Sequence, residues 1–292
     1  MPQHTVTAII PTYNCAHLLG RAIESVLAQT RTVNEVIVVD DGSKDGTRDV
    51  VAGFGKRVRY IFQENRGVAA TRNLGVAKAE SEWVAFLDQD DEWISSKIER
   101  QCEALQSHAD SVLCYSSYWL VDFNGTVMVK RCTPVESLWP NIRLRNPFLP
   151  SVVMVRKSAF QQLGGFSERL RGASCEDWEL FIRMAAQFKL VSLDEPLMRC
   201  YEVPGSASLD ERKIVPATLS IVDSSLLMNL SGWRRTLWRQ RIRAMIYYRG
   251  AISARLAKRP SVRLLAKSFL NWPSPMLEPR RMRTVAATLL GR

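Results

Sequence analysis

The fold is decided by the stretch Trp83-Val84-Ala85-Phe86-Leu87-Asp88-Gln89-Asp90-Asp91. Its unbroken apolar run, residues 83–87, is typical of a strand that is buried on both faces. The acidic residues that follow end the strand. Alternate residues of an extended segment point the same way, so the carboxylates of Asp88 and Asp90 can face one ion. The stretch therefore predicts a buried strand with a ligand site at its carboxyl end.

Three earlier apolar runs, at 6–10, 35–39 and 58–62, repeat this arrangement, with helical patterns between them. Strands rich in Val and Ile that alternate with helices form mostly parallel sheets covered on both faces. The polar clusters that follow the four strands lie at 11–14, 40–47, 64–67 and 88–91. Since ligands bind at the carboxyl ends of such strands, we expect these clusters to converge on one edge. The predicted fold class is α/β with a mostly parallel mixed sheet.

The second half of the chain is less regular and then becomes helical. The strands predicted there are 111–121, 151–155 and 189–193, and an amphipathic helix is predicted over 176–188. Beyond about residue 205 the strand signals stop. The helices predicted in that region are 213–230, 234–257, 261–270 and 280–290. We therefore expect a C-terminal helical appendage over 213–292, attached to a domain of residues 1–212.

Charge divides the chain near the same place. Residues 233–292 hold 15 basic residues and one acidic residue, a net of +14, whereas the first 232 residues have a net of −3. This asymmetry predicts a tail that contacts an anionic partner, and its Trp and Arg residues suit an anionic membrane surface. The alternative is an appendage that packs on the catalytic domain or on a second copy of the chain, as a homodimer. Nucleic acid is not expected, because no aromatic stacking platform accompanies the charge.

Composition restricts the remaining chemistry. No run of about eighteen apolar residues predicts a membrane span, and the N-terminus lacks signal-peptide features, so a cytoplasmic protein is expected. The basic tail would also allow peripheral attachment to the inner face of the plasma membrane. Six dispersed cysteines suit core packing in a reducing compartment. Only three histidines exist and none has metal-ligand spacing, so metal binding and proton transfer should rest on carboxylates.

Asp88 and Asp90 are the candidate metal ligands. Hard carboxylate oxygens suit Mg²⁺ or Mn²⁺, with a substrate diphosphate completing the coordination shell. The alternative is a solvated acidic loop that caps the next helix. The position after a buried strand, beside three other converging loops, favours the metal.

Asp40 and Asp41 follow the second strand, where a carboxylate can accept hydrogen bonds from a ribose hydroxyl or a base N–H. The alternative for these residues is an Asx-type turn, and both interpretations can hold at once. Arg72 lies on the helix after the third strand, where its guanidinium could bind a diphosphate in bidentate fashion. The alternative for Arg72 is a surface residue on an Ala-rich helix.

Glu176 and Asp177 begin the helix predicted at 176–188. The segment Ser174-Cys175-Glu176-Asp177 fits a capping box, which is a purely structural interpretation. The functional interpretation makes one carboxylate a general base. Acceptor hydroxyls are weak acids, so a group must take the proton as the new bond forms.

Five segments together resemble the family-2 glycosyltransferases, over about residues 5–205. They are Pro-Thr-Tyr-Asn at 11–14, Val-Asp-Asp-Gly-Ser-Lys-Asp-Gly-Thr at 39–47, Asn-x-Gly-x-x-x-x-Arg-Asn at 65–73, Asp-Gln-Asp-Asp at 88–91 and Glu-Asp-Trp at 176–178. The resemblance implies the GT-A fold, with residues 1–110 as a nucleotide-binding half and 111–212 as an acceptor half. It also implies an inverting reaction in which a bound Mn²⁺ or Mg²⁺ neutralises charge on the leaving nucleoside diphosphate.

The resemblance also implies roles for individual residues. It assigns Pro11, Tyr13 and Asp41 to the nucleoside pocket, Arg72 to the diphosphate, Asp88 to the ribose, Asp90 to the metal and Asp177 to the base. The other substrate-binding candidates in these motifs are Thr12, Asn14, Asp40, Glu176 and Trp178. The segment 201–206 departs from the family pattern, because relatives often carry a His there and this chain does not. A second metal or phosphate contact at that point is therefore not expected.

The expected activity is a hexosyltransferase-type reaction, from a nucleotide-diphosphate sugar to a sugar or lipid-linked acceptor, in surface polysaccharide or glycolipid assembly. Non-processive transfer is expected because the chain lacks the Gln-x-x-Arg-Trp motif and the membrane helices of processive synthases. One alternative is a sugar nucleotidyltransferase, although the segment 11–14 is not the Gly-rich loop that such enzymes need. The other alternative is a non-catalytic nucleotide-sugar-binding relative.

Overall fold

The structure is a computed structural model that describes residues 4–122, 124–146, 149–172, 175–202, 210–257, 259 and 261–272. The helix expected at 280–290 and most of the segment 201–206 lie outside these residues. Among the described residues, no helix combines the length and the apolar character needed to cross a bilayer. All six cysteines are free, and five of them are buried, as expected for core packing.

Strands and helices alternate through the first half. The strands are β1 (Val6–Thr12), β2 (Glu35–Asp40), β3 (Arg59–Phe62), β4 (Trp83–Phe86), β5 (Glu92–Trp93), β6 (Ser111–Val121), β7 (Val127–Lys130), β8 (Val153–Arg156) and β9 (Lys189–Tyr201). The α-helices are α1 (Ala16–Leu27), α2 (Thr47–Ala52), α3 (Val68–Lys78), α4 (Lys97–Ser107), α5 (Leu138–Asn141), α6 (Lys157–Gln162), α7 (Glu176–Gln187), α8 (Glu211–Ser220), α9 (Gly232–Leu256) and α10 (Val262–Asn271). A π-helical turn, Val222–Leu226, lies between α8 and α9.

The nine described strands form one mixed sheet in the order β3-β2-β1-β4-β8-β6-β9-β5, with β7 paired to β6. The pairs among β1 to β4 are all parallel, and β8 then joins β4 antiparallel. The chain runs outward from β1 to β3 and returns as β4 on the other side of β1. This reversal creates a switch point between β1 and β4, where open α/β sheets bind ligands. The α/β class predicted from the sequence is confirmed.

Strand β1 continues two residues beyond its predicted end and includes Pro11. The carbonyl of Thr12 accepts from Asp41 on β2's side, and the carbonyl of Ile9 accepts from Leu87 after β4. Successive residues of a strand direct their backbone N–H and C=O groups to alternate sides. Pro11 therefore faces the β4 side, where β4 has already ended at Phe86. The pairing with the β4 side stops at Leu87, because Pro11 has no N–H to donate as the next ladder bond.

The structure differs from the sequence-based expectations in three further places. The sequence predicts a helix from about Trp93 to His108, but Trp93 belongs to the short edge strand β5 and the helix begins at Lys97. Strand β9 continues beyond Leu193 to Tyr201, because an irregular pairing with β6 absorbs the Glu195-Pro196 break. Strand β7 was not expected, since it is short and solvent-exposed.

The hydrophobic core extends from the sheet into the helical region. Val215, Leu226, Ile242 and Ile246 belong to the same cluster of buried side chains as the sheet. A second cluster, which includes Met245 and Leu265, joins α9 to α10. The described part of the basic region therefore packs on the rest of the chain, as its appendage interpretation requires. The division at residue 212 stays a prediction.

Two helical glycines give opposite predictions for the same substitution. A Cβ at Gly75 of α3 would lie 2.5 Å from Cγ2 of the fully buried Ile9, whereas at Gly20 of α1 the nearest atom is 4.0 Å away. We expect Gly75→Ala to lower the free energy of unfolding by roughly 1–3 kcal/mol, through overpacking. Gly20→Ala should raise it by about 0.5–1 kcal/mol, through the lower helix propensity of glycine. Urea unfolding of both variants checks this pair, and equal effects would contradict the close packing of α3 on β1.

Candidate active site

The loops after β1 and β4 meet at the switch point through Gln89. Its side-chain carbonyl accepts hydrogen bonds from the Thr12 hydroxyl, at 2.7 Å, and from the Tyr13 backbone N–H, at 2.8 Å. Gln89 thereby fixes the first motif against the acidic one. No sequence pattern predicted this role, because Gln89 stands between two more conspicuous carboxylates.

The segment 11–14 divides into a buried part and an exposed part. Pro11 and Thr12 are buried, whereas the ring of Tyr13 is 46% exposed. Asn14 has a positive φ of 48°, and its backbone N–H donates to the Ser43 hydroxyl. Its side-chain carbonyl accepts from the backbone N–H of Lys44. The loops after β1 and β2 are therefore held together, and Tyr13 stays exposed beside them.

Asp40 and Asp41 are both buried and both accept hydrogen bonds within the protein. Asp40 accepts from the Ser43 N–H and the Tyr60 hydroxyl, and burial together with this carboxylate raises the pKa of Tyr60. Asp41 accepts from Gln63 and from the backbone N–H groups of Arg66 and Gly67, at 2.6–2.8 Å. Asp40 therefore has the turn-forming role considered for it, whereas Asp41 joins this loop to the loop after β3. Their substrate contacts remain predictions.

Arg72 is 4% exposed, so it is not a surface residue of α3. Its guanidinium donates to Asp88, at 2.6 Å, and to Glu176, at 3.0 Å. Burial acts to lower the pKa of Arg72, but these two carboxylates outweigh it and raise the pKa above its usual value. Arg72 therefore joins the acidic loop after β4 to the first turn of α7.

The acidic loop concentrates negative charge that its surroundings do not fully compensate. Burial, and secondarily the charge of Asp88, raises the pKa of Asp90. Asp91 is 4% exposed, and burial with the charges of Asp88 and Asp90 raises its pKa well above the usual range. A divalent cation would relieve this repulsion, so the donor set fits Mg²⁺ or Mn²⁺.

Protein ligands alone would hold such a cation incompletely. Within the described part of the chain, no three His, Cys, Asp or Glu side chains are arranged to bind a metal. One oxygen of Asp88 is engaged by Arg72. Asp88 and Asp90 would therefore hold the ion together with oxygens supplied by a ligand, as a diphosphate can.

Asp177 lies in the first turn of α7, half-buried, with Asn146 donating to it at 2.8 Å. Burial raises the pKa of Asp177 to about 7, the charge of Glu176 adds to this, and Arg72 opposes it. A carboxylate with this pKa can take up a proton near neutral pH, as a general base must. Asn146 lies in an irregular segment without periodicity, which is why sequence reasoning missed it.

The first turn of α7 differs from the predicted capping box. The residue that precedes the helix as its N-cap is Cys175, with no side-chain cap, and Ser174 lies outside the described residues. Trp178 is buried, and its indole N–H donates to the Ile142 carbonyl at 2.6 Å. It also lines a cavity of about 240 Å³ beside Asn146. Trp178 therefore supports the segment that carries Asn146, and its predicted contact with substrate stays a prediction.

The chain matches the family described as Glycosyl transferase family 2 over residues 7–160, more than half of its 292 residues. An uncharacterized glycosyltransferase of Rickettsia typhi is 32% identical over 201 residues, which cover 64% of this chain and 63% of the relative. The UDP-Glc:alpha-D-GlcNAc-diphosphoundecaprenol beta-1,3-glucosyltransferase WfgD of Escherichia coli is 36% identical over 129 residues, covering 44% and 51%. Matches to curated relatives cover between 28% and 63% of those proteins' lengths.

Among solved structures, TarS 1–349 of S. aureus in complex with UDP-GlcNAc superposes with a TM-score of 0.66. The superposition covers 96% of this chain and 92% of TarS 1–349, at 17% sequence identity. This likeness concerns the fold alone, and it supports the GT-A architecture expected from the motifs. Because the family match extends over more than half of its length, the chain belongs to glycosyl transferase family 2.

Proposed function

We propose that this protein transfers one sugar at a time from a nucleotide-diphosphate sugar to an acceptor hydroxyl, with inversion at the anomeric carbon. The observation that carries the proposal is the buried Arg72. It ties the acidic loop, where a diphosphate and its metal would bind, to the helix turn that presents Asp177. Donor phosphates and a base for the acceptor are thereby brought into one site.

On the donor side, the exposed ring of Tyr13 offers a stacking face for a nucleobase. Uracil is the base we propose, because TarS is described with UDP-GlcNAc and the name of WfgD specifies UDP-glucose. Asp88 and Asp90 would hold the Mn²⁺ or Mg²⁺. When bound, this ion stabilises the charge that develops on the leaving diphosphate.

On the acceptor side, Asp177 accepts the proton of the hydroxyl as its oxygen attacks the anomeric carbon. Attack on the face opposite the departing nucleoside diphosphate inverts the configuration. Asn146 holds the carboxylate in place through its amide N–H. Because the raised pKa makes Asp177 a stronger base than an exposed carboxylate, it suits the removal of a proton from an alcohol.

A lipid-linked acceptor is proposed because WfgD, by its name, acts on a sugar diphosphoundecaprenol. Peripheral attachment to an anionic membrane would bring the enzyme to such an acceptor. The start of α9 presents Trp233, 72% exposed, and Leu237, 40% exposed, one helical turn apart. The exposed Arg234 lies beside them, and this combination suits an anionic interface.

The two alternatives explain less of the structure. In a nucleotidyltransferase, a Gly-rich loop after β1 would be expected to surround the phosphates, but the segment 11–14 is fixed to Gln89 and Ser43 instead. A non-catalytic relative would not require a half-buried carboxylate with a pKa raised to about 7.

Metal-dependent nucleotide binding is the first prediction of the proposed function. We expect UDP to bind at least about tenfold more tightly with Mn²⁺ than without it, and more tightly than GDP. Asp90→Ala should abolish the Mn²⁺-dependent gain, because one of two carboxylate ligands is lost. Asp110→Ala, which removes an exposed acid paired with Lys189, is the matched control. Calorimetry with both nucleotides makes the measurement, and unchanged Mn²⁺-dependent binding in Asp90→Ala would refute the metal assignment.

The second prediction concerns Asp177→Asn. The change is nearly isosteric, and Asn146 can turn to accept a hydrogen bond, because its side-chain carbonyl has no partner among the described residues. UDP binding should therefore persist, while transfer falls about 10²–10⁴-fold with the loss of the base. In the native enzyme kcat should rise with pH through a value near 7, since Asp177 acts only when deprotonated. Full transfer activity in the variant would remove Asp177 from this role.

Stability gives an independent readout for the same variant. The pKa of Asp177 is raised from 3.8 to about 7, so the folded state binds more protons than the unfolded state between these values. The native protein therefore loses stability as pH rises across that window. Asp177→Asn lacks this loss, and its melting temperature relative to the native protein should increase from pH 5 to pH 8. A constant difference would mean that the pKa of Asp177 is not raised.

The third prediction tests membrane attachment. Trp233→Ala with Leu237→Ala should reduce co-sedimentation with vesicles containing phosphatidylglycerol, while leaving transfer to a water-soluble acceptor unchanged. Val127→Ala with Met128→Ala, which removes exposed apolar side chains from β7, is the matched control. Native binding that does not depend on anionic lipid, or equal binding by both variants, would contradict the proposed surface.

A further inference from the structure

An open cleft of about 740 Å³ lies between the turn at 168–172 and helix α8. Arg169 and Arg171 stand on one wall, and Arg212 and Lys213 stand on the other. All four side chains are exposed. The residues that line this cationic cleft lie outside the loops after β1, β2 and β4.

Most of its positive charge is not neutralised. Arg212 pairs with Asp210 at 3.0 Å, and the nearby Glu168 pairs with Arg66, outside the cleft. Arg169 and Lys213 have no acidic partner within 4.0 Å in the part of the chain that the structure describes, and Arg171 donates to the neutral Asn65.

The walls of the cleft belong to elements that border the helix of the candidate base. The first wall of the cleft continues directly into the segment that leads to α7. Its second wall, α8, contacts that segment through a hydrogen bond between the side chains of Thr218 and Cys175. Burial raises the pKa of the Cys175 thiol, and this hydrogen bond opposes the rise. The two walls thus come from the elements on either side of Cys175, which is two positions before Asp177. On the other side, Arg171 reaches across Gly67 to Asn65 in the loop after β3.

We propose that this cleft binds a phosphate or diphosphate group of the acceptor, an inference that rests on the proposed function and names the chemical class of its second substrate. Arginine guanidinium groups bind phosphate oxygens in bidentate fashion, and lysine adds a point charge. An open cleft with several unpaired cations suits a doubly charged group better than a neutral glycan. The arrangement places the acceptor's anionic group in the cleft and its hydroxyl toward Asp177.

Neither the donor nor the membrane explains the cleft as well. The donor diphosphate is already assigned to Arg72 and the metal ligands Asp88 and Asp90. A bilayer presents a broad surface, which exposed residues such as Trp233 can reach, whereas these cations face one another across a concavity. A discrete phosphate group fits between the walls.

The test uses geranyl diphosphate as a sugar-free probe, so it does not depend on which sugar the acceptor carries. The donor site is first filled with UDP and Mn²⁺, and binding is measured by calorimetry against geraniol. We expect the diphosphate to bind at least about tenfold more tightly than the alcohol, with an affinity that falls as salt is added. Arg169→Ala with Lys213→Ala should lower the affinity for the diphosphate about tenfold or more and leave UDP binding unchanged.

Two further variants serve as controls for the probe measurement. Lys56→Ala with Arg57→Ala removes two exposed cations elsewhere and should change nothing, which controls for net charge. Lys213→Glu should weaken probe binding further than the single substitution Lys213→Ala, with an unchanged melting temperature. Equal binding of diphosphate and alcohol, or full probe binding by Arg169→Ala with Lys213→Ala, would overturn the proposal. Loss of binding to anionic vesicles alone would also overturn it, because the cations would then contact the membrane.

The outcomes also separate this proposal from the proposed function. If the probe binds and requires Arg169 and Lys213 but no UDP-sugar supports transfer, the cleft is supported and the transferase proposal fails. If transfer occurs equally well to acceptors with and without phosphate, the transferase proposal stands and the cleft assignment fails.

Discussion

The structure depends on one buried cation, the guanidinium of Arg72, between two carboxylates that are distant in sequence. Taking an arginine out of water is costly, and the cost is offset only while both Asp88 and Glu176 accept its hydrogen bonds. Gly75, one turn along α3, allows the helix to approach β1 closely enough to bring Arg72 to this depth. The close packing of α3 on the sheet and the geometry of the site are therefore one constraint.

Around this cation the protein holds more negative charge than it neutralises. The pKa values of Asp90, Asp91 and Asp177 are all raised, chiefly by burial, and each neighbour of like charge adds to the effect. Such groups favour the protonated form and reduce stability at neutral pH. A metal ion at the acidic loop would lower the repulsion there, and proton uptake would relieve it at Asp177. The unfavourable charge thus becomes a preference for the ligands and the proton that the proposed reaction requires.

The sequence was informative wherever a role depended on local pattern. The buried strands, the polar clusters after them and the pairing of Asp88 with Asp90 all follow from periods of a few residues. It was uninformative where partners are far apart, as for Arg72 and Glu176, which are separated by 104 positions. The Ala-rich surroundings of Arg72 even favoured an exposed residue. Asn146 and Gln89 were missed for a related reason, because an amide acquires its role only from the carboxylate or hydroxyl that folding brings beside it.

The donor side of the site depends on local sequence patterns, whereas the acceptor side depends on contacts between distant parts of the chain. The donor loops follow consecutive parallel strands and lie inside the family match, which covers residues 7–160. Asp177, helix α8 and the cationic cleft lie beyond it, in elements that reach the site through tertiary packing. A change in α8 can therefore alter the acceptor side without disturbing the ends of β1, β2 and β4. Family membership consequently constrains the donor chemistry more strongly than the acceptor, whose recognition must be sought in the charges and shape of the C-terminal helices.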